Sequence, residues 1–196
     1  MTTFILAPDS FKESMTAEQA CAAMQRGIQN IIPDAVCIHV PMADGGEGTV
    51  DALLTSLAGQ KVECEVTGPL PSQQVKTYWG LFDSGQTAVI EMAKANGIHL
   101  LEPAQRNPLL TTTLGTGQMI RHALDAGVSK IILALGGSVT NDAGSGMAQA
   151  LGIRFLDAQG REVSVGGGHL QDIEQIDMQA LDSHLQRVQV LIASDV

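Results

Sequence analysis

The chain has 196 residues, 44% of them hydrophobic, and carries 21 Asp plus Glu against 11 Lys plus Arg, a formal net charge of -10. Its length admits one large domain or two small ones, and its hydrophobic share is that of an ordinary packed core. The acidic balance excludes a broad nucleic-acid or anionic-membrane surface, so an anionic ligand has to be met locally, by a single Lys or Arg or by backbone N–H groups at a helix end.

Cys21, Cys37 and Cys64 are odd in number and widely spaced, which fits neither a disulfide framework nor a CxxC motif; they read as reduced core thiols. The first apolar run, Phe4 to Ala7, is too short for a membrane span and no basic residue precedes it. A cytoplasmic protein is the expectation.

In chain order, Phe4 to Ala7 predicts a buried strand, stopped by Pro8-Asp9-Ser10. A helix follows, opened by a Thr16-x-x-Gln19 capping box and ended by Pro33. Its apolar residues Ala17, Ala20, Cys21, Met24, Ile28 and Ile31 recur on one face that should pack on a sheet. Val36 to Val40 is a second strand, and after a loop from Pro41 to Gly48 comes a helix bearing Val50, Leu53, Leu54 and Leu57, with Gly59 as its C-cap. From about Lys61 the pattern changes to strands without intervening helices: Val62 to Val66, Val75 to Leu81 and Thr87 to Glu91. That change predicts a domain boundary near Thr67. A helix from a Thr116 cap to Gly127, a strand from Lys130 to Leu135, a Gly-rich loop entering another helix, and a strand from Val188 to Ala193 complete the series. The order argues for an α/β protein with mixed sheets.

Polar loops follow three of these strands, and in open α/β sheets ligands bind beyond the carboxyl ends of the strands. The first, Asp9 to Ser14, offers Lys12 for a phosphate or carboxylate and Asp9 for a hydroxyl or metal; an Asx-type turn at Asp9-Ser10 with Lys12 solvated is an equal reading. The second, Ala43 to Thr49, sets Asp44 and Glu47 among three glycines, where they could hold magnesium or accept a substrate proton. Equally, Glu47 could simply favour the positive end of the next helix. The third, Gly136 to Gly146, has the strand, Gly-rich loop and helix order that cradles phosphates. It lacks the Gly-Lys-Ser/Thr close of a Walker A loop, the third glycine of a dinucleotide fingerprint and a Gly-x-Ser-x-Gly elbow. Arg106, between Pro103 and Pro108, suits bidentate carboxylate binding, or is a surface Arg in a rigid turn. The histidines show no metal-ligand spacing, and Gly166 to Gly168 reads as a flexible turn.

Taken together, APDSFKES at Ala7 to Ser14, ADGGEGT at Ala43 to Thr49 and GGSVTNDAGSGM at Gly136 to Met147 resemble the type 1 glycerate kinase family. IEMAKANGIHLL from Ile90, RNPLLTTTLGTGQMI from Arg106 and the terminal ASDV agree. The resemblance covers essentially the whole chain. It implies two α/β domains around one site, here a flavodoxin-like or Rossmann-like part over residues 1–66 and a second mixed α/β domain over 67–196, with the C-terminus truncated. It implies ATP and magnesium as cosubstrates and D-glycerate as acceptor, phosphorylated at the 2-hydroxyl in bacterial members. Carried over, Asp9, Lys12, Asp44 and Glu47 become catalytic candidates, and Ser10 and Arg106 candidates for glycerate. Gly136, Gly137, Ser138, Thr140, Asn141 and Asp142 become candidates for the phosphates, with Asp44 and Asp142 for the metal. Val139 and Ala143 stand where the family commonly has Ala and Gly.

Family members are longer, and their later segments, including a Thr-Gly-Glu-Gly motif, have no counterpart here. Two expectations follow from that: a homo-oligomer or a partner chain supplying the missing part, and, as the alternative to an active kinase, a noncatalytic half that binds glycerate or nucleotide. A dinucleotide-dependent oxidoreductase is disfavoured by the defective Gly fingerprint.

Overall fold

The computed structural model describes residues 2–11 and 14–194. The apolar run near the N-terminus forms β1 (Thr3–Leu6), which pairs in parallel with β2 (Val36–His39). Between them runs α1 (Ala17–Ile31), opened by the expected capping box: Gln19 N–H donates to Thr16 Oγ1 at 3.2 Å and Thr16 N–H to Gln19 Oε1 at 2.9 Å. Ala17, Ala20 and Cys21 are buried, but Met24 is 44% and Ile31 83% exposed. A sheet of two strands is too narrow to cover four turns of helix, so the apolar face predicted to pack along its whole length does so only at its start.

The second sheet has five strands in the order β3-β4-β5-β6-β9. Here β3 (Gln60–Thr67), β4 (Gln74–Phe82) and β5 (Thr87–Glu91) are antiparallel neighbours, and β6 (Lys130–Ala134) and β9 (Gln189–Ala193) continue in parallel from β5. Helix α2 (Thr49–Ser56) covers one face, with Val50 packed among Phe82 and Val89. Helix α4 (Leu114–Asp125), which follows the single turn α3 (Ala93–Asn96), covers the other with Met119, Ile120, Ala123 and Leu124 against Ala88, Ile90, Ile131 and Leu133. Alternate residues of β5 and β6 therefore face opposite helices, which is why β5 is buried throughout. The described residues thus make an α/β protein whose two main sheets are one parallel and one mixed.

The sheets part after β2. Thr67, near which a domain boundary was expected, is the last residue of β3, a strand of the five-stranded sheet, and α2 packs on that sheet as well. Gly59 lies beyond the helix end at Leu57, where a Cβ would meet the Phe82 ring at 2.4 Å. Helix α5 (Ser145–Ala150) packs on α4 through Gly117, whose added Cβ would sit 2.4 Å from Met147 O. A small antiparallel pair, β7 (Arg154–Leu156) with β8 (Gln175–Asp177), was not predicted. The Gly166 to Gly168 stretch is no loose turn. Gly168 N–H donates to Leu109 O at 2.9 Å, and a Cβ on Gly167 would lie 2.5 Å from Asn141 O. All three cysteines are free thiols. Among the described residues no helix is long and apolar enough to cross a membrane.

Candidate active site

The loops after β1, β2 and β6 all leave the carboxyl ends of parallel strands, and the backbone ties them together. Met42 N–H donates to Pro8 O at 3.0 Å, joining the first loop to the second. Gly136 N–H donates to Gly45 O at 3.0 Å, joining the second to the third. That approach needs glycines: a Cβ on Gly136 would lie 2.5 Å from Gly46 Cα, and one on Gly45, at φ 89°, would lie 2.7 Å from Ala193 O at the end of β9.

In the first loop Asp9 and Ser10 are exposed, and Ser10 N–H donates to Asp9 Oδ1 at 2.6 Å, one residue on, where an Asx turn would bond the residue after that. Lys12 lies outside the described residues. In the second loop Asp44 Oδ1 accepts from Gly46 N–H at 2.8 Å, which fixes the carboxylate at the loop's open side. Glu47 does not sit on the next helix. Its side chain is 60% exposed and its Oε1 stands 3.5 Å from His99 Nδ1. His99, one of the histidines without metal-ligand spacing, is brought here because Ile98 N–H donates to Gly137 O at 2.9 Å. The long-range bridge between residues 97 and 138 helps to place it, and no local spacing reports such a contact.

The third loop is braced from within. Asp142 is 1% exposed, and its oxygens accept from Thr113 N–H at 2.8 Å, Gly144 N–H at 3.1 Å, Gly146 N–H at 3.3 Å and the hydroxyls of Thr112 and Thr113. A carboxylate with that many donors has its lone pairs occupied, so the expectation that Asp142 ligates a metal does not fit its surroundings. The expected phosphate cradle at the start of α5 is likewise filled, by Asp142 and by Thr113 Oγ1, which accepts from Met147 N–H at 2.9 Å. Gly136, Val139 and Thr140 N–H also have protein acceptors. Among the described residues, the N–H groups of Gly137, Ser138, Asn141 and Ala143 remain open to an anion. Ser138 and Thr140 present their hydroxyls 2.6 Å apart, and Asn141 is exposed. Arg106 is half-buried, with Nε donating to Leu101 O at 3.1 Å and no carboxylate paired with it among the described residues. Its segment runs beside the third loop, since Thr111 Oγ1 donates to Val139 O at 3.1 Å.

The described residues contain no cluster of three or more His, Cys, Asp or Glu able to hold a metal by themselves. Asp44 and Glu47, two carboxylates in an open Gly-rich loop, fit the other kind of site, in which one or two acids share magnesium with substrate phosphates and water.

Polar loops gathered at the carboxyl ends of parallel strands, with carboxylates, open backbone amides and an Arg that pairs with no described carboxylate, make the kind of site at which α/β proteins meet small ligands. The model of the Glycerate kinase family matches residues 4–196. A glycerate kinase of Haemophilus influenzae is 52% identical over 193 residues, which cover 98% of this chain and 51% of that protein. A glycerate 2-kinase of Escherichia coli K12 is 45% identical over 98% of this chain and 50% of its own length. The crystal structure of a candidate glycerate kinase 2 from Salmonella typhimurium LT2 superposes with a TM-score of 0.82 at 47% identity, covering 98% of this chain and 52% of that one. The chain belongs to the glycerate kinase family. It spans about half the length of the curated relatives it matches.

Proposed function

We propose that this chain forms the acceptor and metal side of a glycerate kinase, which moves the γ-phosphoryl group of ATP to the 2-hydroxyl of D-glycerate. The observation that carries the reading is the junction of the second and third loops at Gly45 and Gly136, which puts the acids of one beside the open amides of the other. Phosphoryl transfer asks for in-line positioning and charge neutralisation more than for covalent chemistry, and acids beside open amides are groups suited to both.

In this reading Arg106 holds the glycerate carboxylate, and Ser10 and Lys12 are further candidates for that substrate. Asp9, Asp44 or Glu47 takes the proton of the attacking hydroxyl, and the amides of Gly137, Ser138, Asn141 and Ala143 meet the phosphates. Gly136 and Asp142 shape the third loop, and Thr140 and Ser138 add hydroxyls. Magnesium, when bound at Asp44 and Glu47, neutralises phosphate charge. The protein works in the cytoplasm, where ATP is available.

The test is a coupled ADP-release assay with D-glycerate, ATP and magnesium, run with and without a separately supplied second half of the family sequence, the product being identified by phosphorus NMR. Turnover to 2-phosphoglycerate supports the reading. Nucleotide binding without turnover in either arrangement supports a noncatalytic binding half, and turnover to 3-phosphoglycerate overturns the choice of hydroxyl.

A further inference from the structure

Glu91 is 0% exposed, although it is a carboxylate at the end of a strand in the middle of the larger sheet. Burying a carboxylate is costly unless donors surround it, so its partners reveal what it is for. They lie far away in sequence: Gly48 N–H donates to its Oε2 at 3.1 Å and Val50 N–H to its Oε1. Those are the orphan amides at the start of α2, directly after the loop that carries Asp44 and Glu47. The position that would ordinarily cap this helix with a side-chain oxygen is Gly48, which has none and sits at φ 92°, where a side chain would be strained.

We propose that Glu91 is the positioning residue of the Asp44–Gly48 loop, clamping it to the strand β5 from beneath and so holding Asp44 and Glu47 free for ligand. The clamp explains two features at once. The positive end of α2 already has its carboxylate, so Glu47 is not drawn onto it and stays 60% exposed at the junction. The loop is also fixed at both ends, by Glu91 on Gly48 and by Gly136 N–H on Gly45 O. Lys94 Nζ stands 3.7 Å from Glu91 and 3.0 Å from Asp51, and Tyr78 OH donates to Asp51 at 2.7 Å, so the buried charge is balanced from the side away from the loop. Glu91 touches no ligand itself.

The kinetic arm of the test rests on the glycerate kinase reading; the exchange arm does not. In Glu91→Gln one acceptor oxygen becomes an amide NH2 group set against a backbone N–H. Hydrogen exchange at Gly48 and Val50, measured on the 196-residue chain, should be slow in the natural protein and fast in Glu91→Gln, with the α4 amides unchanged. Equal exchange at both positions in the two proteins overturns the proposal. In the kinase assay, positioning groups of this kind typically cost about 10- to 100-fold when changed. The loss in Glu91→Gln should appear partly as a raised KM for D-glycerate or magnesium, which a mere loss of folded protein would not produce. It should also be non-additive with Asp44→Asn, because both act through one loop. Additive effects, or a lowered kcat with every KM unchanged, overturn it. Lys94→Met keeps both amide contacts and should lower stability without moving KM; a raised KM there would transfer the role to the ion pair. If the natural protein shows no glycerate-dependent turnover, the kinase reading fails and the exchange result alone decides the clamp.

Discussion

Ala143 occupies a position at φ 53°, in the left-handed region that favours glycine, and the family resemblance puts Gly at this point of the third loop. Only about 1–2 kcal/mol separates a side chain from glycine there, and part of the relief is offset by the freer unfolded chain. Ala143→Gly should therefore stabilise the protein by about 0.5–1 kcal/mol in urea unfolding; a destabilised variant would show that the Cβ makes a needed contact. At Gly137, with φ 76°, a bulky replacement would strain the backbone before it affected any ligand. On the glycerate kinase reading, Arg106, which pairs with no carboxylate among the described residues, is the residue whose loss should cost about 1.5–3 kcal/mol in glycerate binding, read as KM, with ATP affinity unchanged. Glu91 predicts a pH dependence. Burial pushes its carboxyl above the ordinary 4.5, against the pull of Lys94 and the two backbone amides and with a push from Asp51. The folded state then holds a proton that the unfolded state has released, so its contribution is favourable below about 4.5 and is lost as pH rises through the folded value. Asp51 works in a lower window. Burial would raise it, but Tyr78, Lys94 and Lys61 hold it below 3.8, so its contribution is lost as pH falls through that lowered value. Subtracting the stability–pH curve of Glu91→Gln from that of the natural protein should leave a decline confined to pH above about 4.5; a flat difference would mean that Glu91 keeps its ordinary acidity.

At the scale of elements, what could be read from sequence was whatever local chemistry determines. The Thr16-Gln19 box, the alternating strands from Val62 to Glu91 and the strand entering Gly136 were each encoded within a few residues of one another. What escaped was set by partners far along the chain. The outer half of α1 looks amphipathic yet is at most half-buried, because the number of strands beneath it is not a property of the helix. The β7 and β8 segments are three residues each and identify themselves only by pairing. Likewise the loops carrying Asp9, Asp44 and Gly136 were legible as polar loops after strands, whereas the saturation of Asp142 and the clamp by Glu91 depend on contacts 29 to 43 residues away. Two glycines make this distinction measurable. Gly27, inside α1, would give an added Cβ nothing within 4 Å, so Gly27→Ala should stabilise by about 0.5–1 kcal/mol through helix propensity. Gly136→Ala puts the same methyl group 2.5 Å from Gly46 Cα and forces two backbones apart. It should cost about 1–3 kcal/mol and raise the KM values for both substrates together. A KM effect limited to one substrate would mean that the two loops do not act as a unit.

At the scale of the whole molecule, charge and apolar surface pull in opposite directions. A net charge of -10 favours separate molecules in solution. Against it stands β9, at the rim of the five-stranded sheet, with Val190 47%, Leu191 42% and Ile192 66% exposed. One side of this strand pairs with β6 and no described strand pairs with the other, so an apolar edge and backbone hydrogen-bonding groups coincide, the combination that recruits another strand. The expected occupant for the isolated 196-residue chain is a second copy of itself, because β-edge pairing is short-ranged and diffuse like-charge repulsion is screened within about 8 Å at physiological ionic strength. Light scattering should give a mass above that of the 20.6 kDa monomer, increasing with salt. Ile192→Lys places a solvated charge on the edge and should return the chain to monomer at equal concentration, leaving the core formed by Ile131 and Leu133 against α4 intact. A natural chain that stays monomeric at high salt would show that the exposed edge is already protected by its own twist and neighbours. Association that survives Ile192→Lys would move the interface to the bare face of α1 and the two-stranded sheet, where Ile5 and Ile31 are 69% and 83% exposed.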